Sequence, residues 1–220
     1  MKFEGISVSV VRKPVKNIRL SVLSDCTLRV VAPEGYDVGS FLFEKKEWIL
    51  SHIERRRDLS VKYLEKSSKM IYGGNFFSVT PGDLCRIDYE SMTIFYPSVC
   101  ELKKFIKKRL RDDLETRLCE IAGDMGVSYK GFSIRNQKSR WASCSTRGTL
   151  NFNIRIAALS PPLRDYIIIH ELSHITEHNH SKNFWNIVGN YCPDYKTHKK
   201  NLAEYWLIIE QSVFWKAMLE

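Results

Sequence analysis

With 220 residues, of which 34 are Lys or Arg and 25 Asp or Glu, the chain carries a net charge of +9 and is long enough for one large domain or two small ones, each able to bury a core. Its 44% apolar and 27% charged residues are those of an ordinary globular protein, and no apolar stretch approaches the roughly eighteen residues of a membrane span. Six scattered cysteines (Cys26, Cys85, Cys100, Cys119, Cys144, Cys192) form no C-x-x-C pair and Met1-Lys2-Phe3-Glu4-Gly5 has no signal-peptide character, so a reduced, cytoplasmic protein without membrane contact is expected.

The chain opens as β-structure. Ile6-Ser7-Val8-Ser9-Val10 and Ile18-Arg19-Leu20-Ser21-Val22 alternate, and Leu28-Arg29-Val30-Val31 follows an Asp25-Cys26-Thr27 turn, which predicts a small antiparallel meander. Ala32-Pro33-Glu34-Gly35 ends it. A helix from about Asp37 carries Val38, Phe41, Leu42, Lys45, Trp48, Ile49 and Ile53 on one side, with Trp48 read as a packing residue. Met70 to Val79 reads as strands around Gly73-Gly74, which is no phosphate loop because no G-K-[ST] follows it. Cys85 to Tyr89 and Met92 to Tyr96 form a hairpin candidate. Pro97-Ser98 reads as a linker, giving an N-terminal β-rich domain over 1–97 and a second domain over 98–220.

The second half begins with a long amphipathic helix from Val99 to Met125, carrying Leu102, Phe105, Ile106, Leu110, Leu114, Leu118 and Ile121 and ending at Gly123 or Gly126. Gly131 to Arg135 is a short strand, and residues 136–145 are polar and turn-like around Trp141. Leu150-Asn151-Phe152-Asn153-Ile154-Arg155-Ile156 alternates, so Asn151, Asn153 and Arg155 are expected to face outward. Pro161-Pro162 opens a helix, and a last helix runs through Leu202, Tyr205, Trp206, Ile208 and Ile209 to the end.

The helix after Pro161-Pro162 contains His170-Glu171-Leu172-Ser173-His174. Residues four apart lie one turn above each other, so the two imidazoles share a face and can grip a divalent cation, with Glu171 beside it to take a proton from water. Lone helix histidines are usually plain core or surface residues. Here Ile167, Ile168, Ile169, Leu172 and Ile175 surround the pair, and polar groups in so apolar a helix are costly to bury without a partner. Ser181 suits the N-cap of the next helix, which places His180 at the preceding turn as third ligand. His178 competes with it, and Glu204 is the alternative if the set is His-His-Glu. The spacing to His180 also matches metzincins, but Glu177 replaces their glycine and no Met follows until Met218, so that assignment fails.

Two basic clusters, Arg55-Arg56-Arg57 and the set Lys103, Lys104, Lys107, Lys108, Arg109 and Arg111, carry much of the positive charge. Both sit in helical patterns with apolar residues on another side, so solvated helix faces account for them, while DNA association through this basic surface stays open.

The residues so far resemble the YgjP-like family of metal-dependent hydrolases in the zincin group. The matching stretches are Lys138-Ser139-Arg140-Trp141-Ala142-Ser143-Cys144-Ser145, Leu150-Asn151-Phe152-Asn153, Tyr166 to His174, Asn179-His180-Ser181 with Phe184-Trp185, and Pro193-Asp194-Tyr195-Lys196; Val30-Val31-Ala32-Pro33 and Lys46-Glu47-Trp48-Ile49 extend it into the first half. Ala142 departs from the glycine usual in the family. The resemblance implies an α+β fold with a zincin-like second domain, one Zn2+ per chain on His170, His174 and His180, and Glu171 as general base. It also connects to the SprT and Wss1-like proteases, some of which cleave proteins crosslinked to DNA. By that analogy the strand from Leu150 to Ile156 would be the edge that binds an extended polypeptide substrate.

The expected chemistry is therefore zinc-dependent hydrolysis of peptide bonds. Arg140, Lys138, Tyr195 and His198 are the candidates to steady the oxyanion, and Asn151, Asn153, Arg140, Trp141 and Tyr195 the candidates to contact substrate. Cys144 has no adjacent base in sequence and is read as structural. The rival reading is a nucleic-acid-associated module with a structural metal, which needs a fourth protein ligand from Cys144 or Cys192.

Overall fold

In the computed structural model, which describes residues 1–23 and 25–220, the alternating stretches at the start of the chain pair into one mixed sheet. β1 (Lys2–Phe3) lies antiparallel to β2 (Ile6–Arg12), and β3 (Arg19–Val22) antiparallel to β4 (Leu28–Ala32), but β2 and β4 run parallel, with Val8 opposite Leu28 and Val10 opposite Val30. The expected antiparallel meander is thus replaced by the order β1-β2-β4-β3. Burial explains it: β2 and β4 hold Ile6, Val8, Leu28, Val30 and Ala32, so they take the centre, while half-exposed β3 takes an edge. The single helix expected after Asp37 is two, α1 (Val38–Glu44) and α2 (Lys46–Leu64), meeting at Lys45; the Asp37 carboxylate caps α1 by accepting from the Gly39 and Ser40 N–H groups. Val38, Leu42, Ile49 and Ile53 cover the sheet. Trp48, read as a packing residue, is 42% exposed and packs by stacking on His52.

By contact the chain divides into Met1–Glu65 and Lys66–Glu220, so residues 66–97 pack with the second part, although the sequence suggested a boundary near 97. The reason lies at β5 (Met70–Tyr72), which is fully buried. The Trp215 indole N–H donates to Ile71 O at 2.8 Å, the Ser212 hydroxyl to Lys69 O at 2.9 Å, and Val213 N–H to Ser67 O at 3.1 Å. β5 pairs with β6 (Asn75–Pro81), and β7 (Arg86–Asp88) and β8 (Thr93–Tyr96) form the expected hairpin, in a sheet ordered β5-β6-β8-β7.

α3 (Val99–Met125) starts at Ser98, whose hydroxyl accepts from Glu101 N–H, and stops at Gly126 in the left-handed conformation. Leu102, Ile106, Leu110, Leu114 and Leu118 form its buried stripe, while Lys104, Lys107, Lys108 and Arg109 stay in solvent. The third sheet has the order β10-β11-β9: β11 (Thr149–Asn153) lies between β9 (Gly131–Arg135), to which it is parallel, and β10 (Ala142–Cys144), to which it is antiparallel. β10 arises in the stretch expected to be turn-like. The alternating run does not continue as a strand past Asn153 but tightens into a 3-10 helix over Ile154–Ala158.

Helix α4 (Pro161–Thr176) follows, buried through Tyr166, Ile167, Ile168, Ile169 and Leu172. Arg117 of α3 grips Asp165 with two hydrogen bonds, at 3.1 and 2.9 Å, and Arg164 reaches Asp113 at 2.8 Å, bracing the two helices. α5 (Lys182–Tyr191) and α6 (Tyr195–Gln211) complete the layer, and the expected terminal helix breaks at Ser212 into α7 (Val213–Leu219). No helix among the described residues is long and apolar enough to cross a membrane.

The turn between β5 and β6 abuts the start of α4. Gly73 and Gly74 N–H donate to Ala157 and Ala158 O at 2.8 and 2.9 Å, Gly74 has φ +88°, and a Cβ there would stand 2.8 Å from that of Ser160. Gly74→Ala is expected to cost roughly 2 kcal/mol or more and lower the melting temperature by about 4–8 °C in differential scanning calorimetry. An unchanged melting temperature would show that the contact has slack.

Candidate metal centre

α4 runs through a crowded apolar layer, and the polar side chains on its inner part all have partners or face one small space. The Ser173 hydroxyl donates back to Ile169 O at 2.7 Å. His170 and His174 project from successive turns with ring centroids 5.1 Å apart. The helix ends at Thr176, where Glu177 turns extended, and the chain loops back through His180 before Ser181 caps α5 by accepting from Phe184 N–H at 3.2 Å. Capping the next helix directly after this loop is what delivers His180: its ring lies 5.0 Å from that of His170 and 4.8 Å from that of His174.

The donor atoms of His170, His174 and His180 all lie within 4.8 Å of one another. The Nε2 atoms of His170 and His180 are 3.1 Å apart. Ligand atoms about 2.0–2.1 Å from one tetrahedral cation are separated by roughly 3.3 Å, so the pair is spaced as a metal requires. The Nδ1 of His174 lies 3.2 Å from Glu177 O, a contact that fixes the tautomer with Nε2 free to coordinate. Burial is the main cause holding the His170 imidazole down, to about 3, aided by His174, His180 and Lys199, and burial also lowers His174, so both rings are neutral as ligands must be. The donor set therefore fits a divalent cation. Glu204, the alternative third ligand, is outside this group, and so are Cys144 and Cys192, which a closed four-ligand site would need.

Phe184, fully buried, lies against all three imidazoles at 4.5–4.9 Å between centroids. Trp185 stacks on His180 at 5.7 Å, and Tyr195 stacks on Trp185 at 5.1 Å. Lys199 stands over the Trp185 ring at 5.0 Å. This aromatic wall fixes the ring planes. Sequence reading missed Lys199, although Tyr195, His198, Lys199 and Leu202 fall at i, i+3, i+4 and i+7 on α6, the spacing of a single helix face.

Glu171 is 6% exposed, and burial pushes its carboxyl up to about 7 against the opposing pull of the Cys144 backbone N–H and the Arg140 guanidinium. A cavity of about 250 Å³ opens beside it, lined by Arg140, Trp141, Tyr166, Ile167, His170 and Leu202 among others, and mostly apolar. Arg140 and Trp141 line this cavity together with His170 and Glu171. Lys138 is exposed and outside this lining, and His198 stacks on Tyr166 at 5.8 Å. Tyr195 belongs to the aromatic wall.

The two asparagines differ from expectation. Asn151 is half-buried, its Oδ1 accepting from the Ser133 hydroxyl at 2.7 Å. Asn153 does not face outward but is fully buried: its amide donates to Gln137 O and Arg140 O, each at 2.8 Å, and its Oδ1 accepts from Arg155 N–H at 3.2 Å. It has no polar atom left for substrate and instead pins the loop bearing Arg140 and Trp141. Arg155 assists, donating to Gln137 O at 2.8 Å while its guanidinium lies over Trp206, which meets Trp141 edge-on at 4.8 Å. The strand expected to offer a peptide edge, β11, is occupied on both sides; the open edge beside α4 is β10.

Two imidazoles on successive turns of α4, a third from the loop that follows it and a carboxylate buried on the same helix form a candidate metal centre. Residues 98–205, just under half of the chain, match the family model described as YgjP-like, metallopeptidase domain. Among solved structures the chain is similar to the metallopeptidase zymogen of Pyrococcus abyssi abylysin, 26% identical over 40% of this chain and 90% of that one, with a TM-score of 0.38. Among curated proteins none matches.

Removing the Asn153 amide leaves Arg140 O without its donor and Gln137 O held by Arg155 alone. Asn153→Ala is expected to cost about 1–3 kcal/mol in urea unfolding and to lower activity while bound metal, measured by plasma mass spectrometry, stays at the wild-type level. Loss of metal in this variant would contradict the assignment of Asn153 to the loop alone.

Proposed function

We propose that this metallopeptidase uses one zinc ion on His170, His174 and His180 and cleaves peptide bonds in extended polypeptide, with Glu171 as general base. The observation that carries the reading is the convergence of three imidazole nitrogens beside a carboxylate buried on the same helix. Three nitrogen donors suit borderline-soft zinc, and a set of three leaves the open position typical of a catalytic site. A divalent cation bound there supplies Lewis acidity, making a water more acidic and polarising a carbonyl.

The remaining steps belong to the chain. The Glu171 carboxylate accepts a proton from the attacking water and returns it to the leaving nitrogen. Its environment, poised by burial against the Cys144 N–H and Arg140, favours a group that gains and gives up a proton near neutrality. Arg140 is the favoured oxyanion stabiliser, because of the four candidates only its side chain shares a cavity with His170 and Glu171. The free edge of β10 offers backbone N–H and C=O groups to an extended peptide, and this pairing makes no demand on side-chain sequence. The apolar cavity beside Trp141 receives one substrate side chain.

Two experiments test the reading. Glu171→Gln is expected to lower hydrolysis of an unfolded polypeptide such as denatured casein by about 10²–10⁴-fold while zinc stays at one per chain, whereas His174→Ala loses the metal; full activity in Glu171→Gln with stoichiometric zinc rejects the mechanism. Arg140→Ala is expected to lower kcat by about 10²-fold with zinc retained and KM little changed. A rise in KM alone would move Arg140 from oxyanion stabilisation to substrate binding.

A further inference from the structure

At the other end of β10 from the apolar cavity lies a second and larger concavity, about 590 Å³, which the proposed chemistry does not use. Its cationic lining is Lys130 and Arg147, its hydroxyls include those of Ser128, Ser145 and Thr146, and no Asp or Glu lines it. Some cations of the chain pair with acids, as Arg117 does with Asp165, Arg164 with Asp113 and Lys104 with Glu101. Lys130 and Arg147 form no such pair among the described residues.

The walls are fixed in place. Residues 145–148 form a tight turn in which Gly148 N–H donates to Ser145 O at 2.9 Å, with Gly148 at φ +76°. Lys130 N–H in turn donates to Gly148 O at 2.9 Å, so the backbone carrying one cation is tied to the turn carrying the other. The Ser145 Oγ already accepts from Thr149 N–H at 3.0 Å, which leaves its own O–H to donate. Unpaired cations and hydroxyl donors sharing one concavity suit an anion.

The position identifies the anion. Ile175, one residue beyond His174, lines the cleft, and Ser145 directly follows Cys144, whose backbone N–H pulls the Glu171 carboxyl down. From Ala142 at the apolar cavity to Ser145 at the cleft is about 10 Å of strand, the reach of roughly three residues of extended peptide. A chain lying along β10 therefore passes from one concavity to the other across Glu171. Two cations on one hollow can pair with a carboxylate side chain, whereas a nucleic-acid backbone is held by many phosphate contacts along its length.

We propose that the Lys130–Arg147 cleft binds an acidic residue of the polypeptide substrate, on the flank of the scissile bond opposite the residue held in the apolar cavity. The inference rests on the peptidase reading above and adds a substrate class to it: chains with an Asp or Glu a few residues from the cut.

The zinc-loaded full chain is incubated with a peptide library, cut sites are mapped by mass spectrometry, and matched peptides with Glu, Gln or Lys at the selected position are then compared. The Glu peptide is expected to exceed the Lys peptide in kcat/KM by about tenfold at low salt, since an exposed charge pair contributes up to roughly fivefold and two cations act, and the ratio is expected to shrink toward one at 1 M salt. In the double variant Lys130→Glu/Arg147→Glu the ratio reverses; Arg147→Gln, milder for folding, halves it or more. Cutting without acidic preference overturns the cleft assignment and leaves the peptidase reading standing. If nothing is cut, the peptidase reading fails, and the cleft is judged by fluorescence anisotropy of a labelled acidic peptide on zinc-loaded Glu171→Gln: binding lost on charge reversal upholds it, and no binding overturns it. Binding of labelled single-stranded DNA that charge reversal abolishes, with no acidic-peptide binding, also overturns it.

Discussion

The apolar burial of helix α4 governs the rest of the second unit. Ile167, Ile168, Ile169 and Leu172 occupy most of its circumference, and α3, α5, α6 and β10 all pack on it. A helix so enclosed has little tolerance for polar groups, so those it carries must be satisfied locally or face a shared space. Ser173 turns back onto its own backbone. The imidazoles of His170 and His174 and the carboxylate of Glu171 remain, and a cation held between the imidazoles would take up one nitrogen of each ring. Packing thus sets the chemistry: the layer that holds α4 rigid also fixes the direction of its ligands.

Around that helix the chain supplies support of two kinds. Aromatic rings, Phe184 and Trp185 from α5 and Tyr195 from α6, hold the three imidazoles in register by stacking and edge contacts. Hydrogen bonds from Asn153 and Arg155 hold the loop that carries Arg140 and Trp141. Neither kind reaches into the reaction. Both keep the groups that do within the narrow tolerance that hydrolysis requires.

How far the sequence revealed this depended on the range of the interactions. Helices α3 and α4, a glycine stop at Gly123 or Gly126, the Ser181 cap and the grouping of His170, His174 and His180 were legible, because periodicity, capping chemistry and i, i+4 spacing act within a few residues. Asn153 was misplaced because strict alternation carries no signal of where a strand gives way to a 3-10 helix. β10 went unseen inside a polar stretch: its three residues become a strand only by pairing with β11. The parallel pairing of β2 with β4 and the attachment of residues 66–97 to the second unit were hidden for the same reason, since both depend on partners distant in the chain.

That attachment bears on where this protein can be cut. The stretch matching the family begins at residue 98, yet the hairpin before it supplies Ile71 O to the Trp215 indole and lays Gly74 against the first residues of the ligand-bearing helix. A fragment trimmed to the matched boundary would leave the Trp215 indole N–H without its acceptor and bare a strand's worth of oily surface, inviting clumping before any metal could be counted. Dissection should begin near residue 66, where the backbone passes from one self-contained body to the next.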